Sequence, residues 1–234
     1  NFEYTKELAR WSLSNHSRFL YASSAATYGD GSSGMDDRQE DLSVYRPLNM
    51  YAYSKQLFDC YAQRNGFSKS IIGLKYFNVF GPNEDHKGDM RSVVNKAFHQ
   101  IIDNGRVNLF KSYHDDYADG QQERDFLYVK DAVEMTLHLA SQPLAGGLFN
   151  IGSGVASTWI DLVDAIFASL GRVPEIDFVD MPEGLREKYQ YHTCADISRL
   201  REQGYKGQVQ PLDESVADYV KLYLAADRRL GDEG

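Results

Sequence analysis

The sequence predicts an α/β fold built on a mainly parallel sheet. Short apolar runs such as "RFLYASSAATYG" (18–29), "SIIGLKYFNVFGP" (70–82) and "RDFLYV" (124–129) read as buried strands. Helical segments alternate with them, and glycine or proline marks the joins. A chain of 234 residues holds one large domain or two small ones.

"NFEYTKELARWSL" opens as a helix, with Phe2, Leu8, Ala9, Trp11 and Leu13 on an irregular apolar face, so the chain reads as starting inside a domain. The run at 18–29 is a strand and loop, and "GDGSSGMDDRQED" continues as a polar surface loop. Residues 50–65 form a helix that ends near Asn65-Gly66. The strand at 70–82 stops at Gly81-Pro82, and 91–103 is helical. "VNLF" is a short strand, followed by a polar excursion to Glu123. "RDFLYV" and "GLFNIGSG" are strands, with the helix "KDAVEMTLHLAS" between them. "STWIDLVDAIFASLG" is a helix with Gly171 as its stop, and "EIDFVDM" is a strand. "ADISRLREQG" and "LDESVADYVKLYLAAD" are the last helices.

A net charge of −9 argues against a broad nucleic-acid surface, so an anionic ligand needs a local basic pocket. No apolar run approaches the roughly 18 residues of a membrane span, and no signal peptide is visible. Cys60 and Cys194 fit no metal or redox spacing, which suits a reduced cytoplasmic protein.

Two glycine patterns invite a nucleotide reading. "GDGSSG" (29–34) matches the dinucleotide fingerprint by letter, but no apolar helix follows to cap a phosphate. "GSGVAS" (152–157) sits between a strand and a helix, yet Ser157 replaces the third glycine. Ser157 or Thr158 serves there as N-cap, with Asp161 three residues after Thr158, so a plain strand–turn–helix is expected. "YHDDYADG" (113–120) fails as a calcium loop because Tyr117 and Phe126 occupy ligand positions. "NEDHKGD" (83–89) has no helical histidine pair, so no metal site is expected.

"NMYAYSK" (49–55) places Tyr51 four residues before Lys55, on one helical face, with Tyr53 roughly 200° around the helix as a packing residue. A tyrosine exchanges protons near neutral pH when an adjacent ammonium favours its phenolate. "SSAAT" puts hydroxyls at the carboxyl end of the preceding strand, where parallel α/β sheets gather their chemistry. A serine there can bond the same substrate oxygen that the tyrosine serves.

With "YASSAATYG", "YAYSK", "KYFNVFGP" and "RDFLYVKD" in this order, the chain resembles the extended short-chain dehydrogenases/reductases, the NAD-dependent epimerase/dehydratase family. "NEDHKGDM" is most similar to the branch acting on ADP-heptoses, and the likeness runs to "EKYQYHTCADISRLREQGY". The resemblance implies a Rossmann-like doubly wound parallel sheet and a smaller C-terminal α/β substrate domain. Residues 1–80 would belong to the cofactor domain, 81–234 mainly to the substrate domain, and segments near 125–152 would return to the first. The family's glycine-rich N-terminal βαβ unit has no counterpart here, so weak or absent NADP binding is expected of the isolated chain.

By position, the resemblance implies Ser24 as the catalytic hydroxyl, Tyr51 as the acid/base and Lys55 as the lysine on the nicotinamide ribose. It implies Lys87 as a second acid/base near the cofactor, with Val79 also beside it. Asn78 is similar to a sugar contact. Asp89, Lys96, Phe110, Lys111, Ser112, Arg124 and Tyr189 fall where relatives contact the nucleotide sugar. Lys96 stands where some members carry histidine, and "YHDDYADGQQ" lengthens the loop before Arg124.

The implied reaction is epimerisation at C6 of an ADP-heptose by transient oxidation with NADP rather than NAD, in building lipopolysaccharide core heptose. Hydride leaves C6 as its hydroxyl proton is removed, the C6 group rotates, and hydride returns to the other face. An oxygen that swings across the site needs two proton-handling groups, Tyr51 and Lys87. Lys96, Lys111 and Arg124 are the candidate cations for the diphosphate. A UDP-sugar 4-epimerase or sugar-nucleotide dehydratase is the alternative enzyme, and a non-catalytic nucleotide-sugar-binding fragment is the alternative of another class. The resemblance also implies a homo-oligomer, with a pentamer among its forms.

Overall fold

The computed structural model describes residues 2–143 and 146–232. Helix α1 (Phe2–Ser14) leads into strand β1 (Phe19–Ser24), and a short 3-10 turn follows at Ala25–Tyr28. A long loop then returns to α2 (Met50–Arg64), whose first turn is capped by Asn49 accepting from the Ala52 amide. Gly29 opens that loop at φ 71°, and a Cβ added there would lie 2.1 Å from the Arg46 carbonyl oxygen, so only glycine lets the two segments touch.

The segment at 70–82 is two strands. Strand β2 (Ile71–Tyr76) and strand β3 (Asn78–Phe80) are separated at Phe77, whose amide donates to the Ile151 carbonyl. That break moves the chain from one sheet to another. Helix α3 (Val93–Asn104) starts at a Ser92 cap and ends at Gly105 in the left-handed conformation. Strands β4 (Val107–Phe110) and β5 (Glu123–Tyr128), helix α4 (Val129–Ser141) and strand β6 (Gly147–Ile151) follow.

Beyond β6, a three-residue strand β7 (Ala156–Thr158), not anticipated from the sequence, precedes α5 (Trp159–Ser169). Thr158 and Asp161 form the expected capping box. Strand β8 (Ile176–Val179) and the short helices α6 (Glu183–Arg186) and α7 (Ser198–Glu202) complete the middle of the chain. Helix α8 (Leu212–Tyr219) runs on into a π turn at Val220–Leu224.

The first sheet has the order β1-β2-β6 and is parallel throughout, with Ser24 beside Tyr76 and Tyr76 beside Ile151. Apolar clusters cover both faces. Ala9, Phe58 and Ala62 of α1 and α2 pack with Tyr21 and Ile71, whereas Ala132, Met135 and Leu139 of α4 pack with Ile72, Leu74 and Phe149. Helices on both faces explain why β2 reads as an apolar run broken only by Lys75. A second sheet joins β3 and β5 in parallel and β5 and β7 antiparallel. Strands β4 and β8 pair separately, over a core that α3, α5 and α8 share through Ile101, Ile166 and Val216.

The first helix departs from its sequence reading. Ala9 is buried, but Leu8 is 37% and Trp11 62% exposed. Phe2 and Leu13 also pack against the cluster under the helix, so of the expected apolar face only Leu8 and Trp11 point outward. Among the described residues no helix is long and apolar enough to cross a membrane.

Candidate active site

The parallel register brings Ser24 to the carboxyl end of β1. Its hydroxyl accepts a 3.2 Å bond from the Ala26 amide, so the serine caps the 3-10 turn that redirects the chain. Helix α2 lies across β1, and Tyr51 on its first turn reaches the same place. Ser24, Tyr51 and Val79 line one cleft of about 500 Å³ with Tyr76, Val129 and Thr136. Lys55 sits one turn below Tyr51. Its ammonium lies 5.8 Å from the centre of the Tyr51 ring and donates 2.8 Å to the Ala22 carbonyl.

The buried face of α2 consists of Ala52, Gln56, Phe58, Asp59 and Ala62. Tyr53, expected to pack, is 47% exposed instead and lines a surface groove with Arg46, Pro47 and Leu57.

A second cavity, of about 270 Å³, gathers Lys96, Phe110 and Tyr189 with Trp159, Ala97 and Val107. Trp159 was not anticipated. Its indole N–H donates 2.9 Å to the Tyr189 hydroxyl, which fixes both rings. Arg124 stands against this pair, 5.0 Å from the Tyr189 ring centre and 5.6 Å from that of Trp159. It is 7% exposed, and its hydrogen bond goes to the Glu123 carbonyl, not to a carboxylate. Burial pulls its guanidinium below the usual arginine range. Among the described residues no carboxylate pairs with this buried cation, which leaves its charge available to an anion.

The remaining predicted residues are dispersed. Asn78 on β3 bonds the Asp125 carbonyl at 3.2 Å and Thr193 at 3.4 Å. Lys111 is paired with Asp180 at 3.0 Å, and that bond raises its pKa. The Ser112 amide donates to Asp119. Asp89 and Lys87 ride an exposed 3-10 turn at Asp85–Met90, and Lys96 reaches back to the Asp89 carbonyl at 3.3 Å. Lys87 lines neither cavity and makes no ion pair among the described residues. The base of its turn is anchored. Buried Glu84 accepts from the Ser92 amide and hydroxyl and from Tyr219, and Arg229 pairs with Asp85 at 3.1 Å.

Neither glycine pattern makes a phosphate cradle. The amides of Ser153 and Gly154 are taken by the buried Asp125 carboxylate at 2.6 and 3.0 Å, and Ala195 adds a third at 2.9 Å. A Cβ on Gly152 would come within 2.8 Å of the same carboxylate. In "GDGSSG", Asp30 folds onto Ser32 to make a tight turn. Among the described residues neither pattern therefore offers a glycine cradle for a pyrophosphate. No group of three or more His, Cys, Asp or Glu side chains converges as a metal site among the described residues.

A sheet with its reactive hydroxyls at a strand's carboxyl end and a Tyr-x-x-x-Lys helix beside it defines a class, and residues 1–152 match the NAD dependent epimerase/dehydratase family. The chain belongs to that family. Among its relatives, the ADP-L-glycero-D-manno-heptose-6-epimerase of Nitratidesulfovibrio vulgaris is 51% identical over 97% of this chain and 70% of its own length. The protein of the same name from Fusobacterium nucleatum is 42% identical over 97% of this chain and 71% of its own length. Of the solved structures, a UDP-N-acetylglucosamine 4-epimerase from Methanobrevibacter ruminantium superposes with a TM-score of 0.80 at 24% identity, over 97% of this chain and 69% of that one. The ADP-L-glycero-D-manno-heptose-6-epimerase of Helicobacter pylori gives 0.77 at 24% identity, over 96% and 65%. At such identities the superpositions establish the doubly wound fold.

Proposed function

We propose that the chain carries the reactive part of an epimerase that interconverts ADP-D-glycero-D-manno-heptose and ADP-L-glycero-D-manno-heptose, in making lipopolysaccharide core heptose. One observation carries the reading: Ser24 and Tyr51 line one cleft, with Lys55 held beside the phenol. The 51% identity to a relative of that name selects the substrate.

The cofactor is NADP rather than NAD, and it supplies hydride removal and return at the sugar carbon. Tyr51 takes the hydroxyl proton, while Ser24 bonds the same oxygen and steadies the charge that develops there. Lys55 supplies positive charge beside the phenol and holds the nicotinamide ribose. Lys87 serves the oxygen after the C6 group has turned, which requires its exposed 3-10 turn to close over the sugar. Arg124 and Lys96 neutralise the diphosphate and Phe110, Trp159 and Tyr189 wall the nucleotide, with Asn78, Asp89, Lys111 and Ser112 at the margins.

In this reading residues 1–80, with return segments near 125–152, form the cofactor domain, and 81–234 mainly the substrate domain. The setting is cytoplasmic, where Cys60 and Cys194 remain free thiols. A homo-oligomer belongs to this reading, and exposed Trp11, Met50 and Tyr53 are apolar side chains that contact with a second copy would cover.

The test uses protein from the complete coding region, incubated separately with NADP plus ADP-D-glycero-D-manno-heptose and with NADP plus UDP-glucose, and read by sugar NMR. Inversion at C6 of the heptose is expected. Conversion of UDP-glucose alone would make it a 4-epimerase instead.

A further inference from the structure

Lys75 is a charged residue near the carboxyl end of the otherwise apolar strand β2. Its ammonium lies 3.1 Å from Asp59, and both side chains are 1% exposed. Burying two charges costs several kcal/mol per ion before pairing, and apolar residues of similar volume often serve stability as well or better. The pair here connects two elements. Asp59 stands on α2 at the same four-residue spacing that relates Tyr51 to Lys55, so the three share a stripe.

Side chains tie that stripe to each of the last four residues of β1. Asp59 accepts from the Tyr21 hydroxyl at 2.9 Å and from the Ser23 hydroxyl at 2.7 Å. Lys55 holds the Ala22 carbonyl. Lys75 donates 2.5 Å to the Thr27 hydroxyl, and Thr27 donates 2.7 Å to the Ser24 carbonyl. The ammonium also lies 4.6 Å from the Tyr28 ring centre. The backbone of Ser24 is thus fixed from below, through Thr27 and Lys75, by the carboxylate of the helix that carries Tyr51.

We infer that Asp59, Lys75 and Thr27 are positioning residues that set the Ser24 hydroxyl against the Tyr51 phenol, so that both meet one substrate oxygen. The inference rests on the reading of Ser24 and Tyr51 given above. A shift of about 1 Å in such a pair can cost about a hundredfold in rate. Binding of the nucleotide, which takes place at Arg124 and Lys96, is left unaltered by it.

The experiment compares Thr27→Val, Thr27→Ser and the paired change Asp59→Asn with Lys75→Met in protein from the complete coding region, with Tyr51→Phe as reference. Thr27→Val keeps the shape and removes the hydroxyl. It is expected to lower kcat tenfold to a hundredfold, on the order of that geometric effect, with KM within about twofold. Thr27→Ser restores the hydroxyl and most of the rate. The paired change removes both buried charges together, so the protein keeps its melting temperature and still loses kcat.

Wild-type kcat in folded Thr27→Val, or in the paired variant, overturns the inference, as does a loss that Thr27→Ser leaves uncorrected. Where Thr27→Val does not fold, the paired variant decides alone. Full turnover by Tyr51→Phe would sink the site reading itself. An inactive Tyr51→Phe beside an unimpaired Thr27→Val would sink the positioning network only.

Discussion

Lys55 is committed to Tyr51 and to the backbone at once: its ammonium is 5.8 Å from the Tyr51 ring centre and 2.8 Å from the Ala22 carbonyl oxygen. The carbonyl bond keeps the lysine from swinging into solvent. Removing the phenol should therefore cost chemistry and not structure, because Tyr51 itself is 53% exposed. Tyr51→Phe is expected to lower kcat by about a hundredfold to ten-thousandfold, the range for a lost acid/base group, with the melting temperature unchanged. Steady-state kinetics and a thermal melt check it, and near-normal epimerisation would count against Tyr51.

Lys87 poses the opposite problem, since it is exposed and outside both cavities. If its turn closes over the sugar, Lys87→Met should cripple epimerisation about as severely as Tyr51→Phe, and the double variant should be no better than either. The measurement is exchange between the two C6 epimers. A Lys87→Met enzyme that epimerises normally would leave Tyr51 to serve both faces.

Arg124 is buried against Trp159 and Tyr189, with no acidic partner among the described residues. A charge-assisted bond to a diphosphate contributes about 1.5–3 kcal/mol. Arg124→Gln is thus expected to raise the dissociation constant for ADP by about tenfold to a hundredfold, read by calorimetry. Lys111→Met should do much less, because Lys111 is already held by Asp180. Equal losses from the two would place the diphosphate elsewhere.

Much of this was legible in the chain. The four-residue spacing of Tyr51 and Lys55 survives folding because a helix preserves it, and the small residues of "SSAAT" mark the strand end where the family resemblance singles out Ser24. The Thr158–Asp161 box was equally readable, since both partners lie within one turn. Contacts between distant segments were not. Nothing local links Asp59 to Lys75, or Asp125 to the amides at 153, 154 and 195. The available signal was a lone lysine inside "IIGLKYF", a charge that a buried strand holds only with a partner. The partner that fixes Trp159, Tyr189, lies thirty residues further along the chain.

Asp37 supplies a pH test independent of catalysis. It is 5% exposed, and burial raises its carboxyl pKa to about 6, against the opposing bond from the Asn150 amide at 2.7 Å. A carboxyl raised in the folded state binds more protons there than in the unfolded chain. Its burden on stability is therefore full above about pH 6 and fades as pH falls toward the ordinary carboxylate value. Asp37→Asn keeps an acceptor for the Asn150 amide and cannot ionise. Relative to wild type, it should gain stability on the order of 1–3 kcal/mol at pH 8, and the gain should shrink toward pH 4. Urea unfolding of both proteins from pH 4 to pH 8 measures that difference, and a gap that stays constant across the range would show that Asp37 ionises freely in the folded protein.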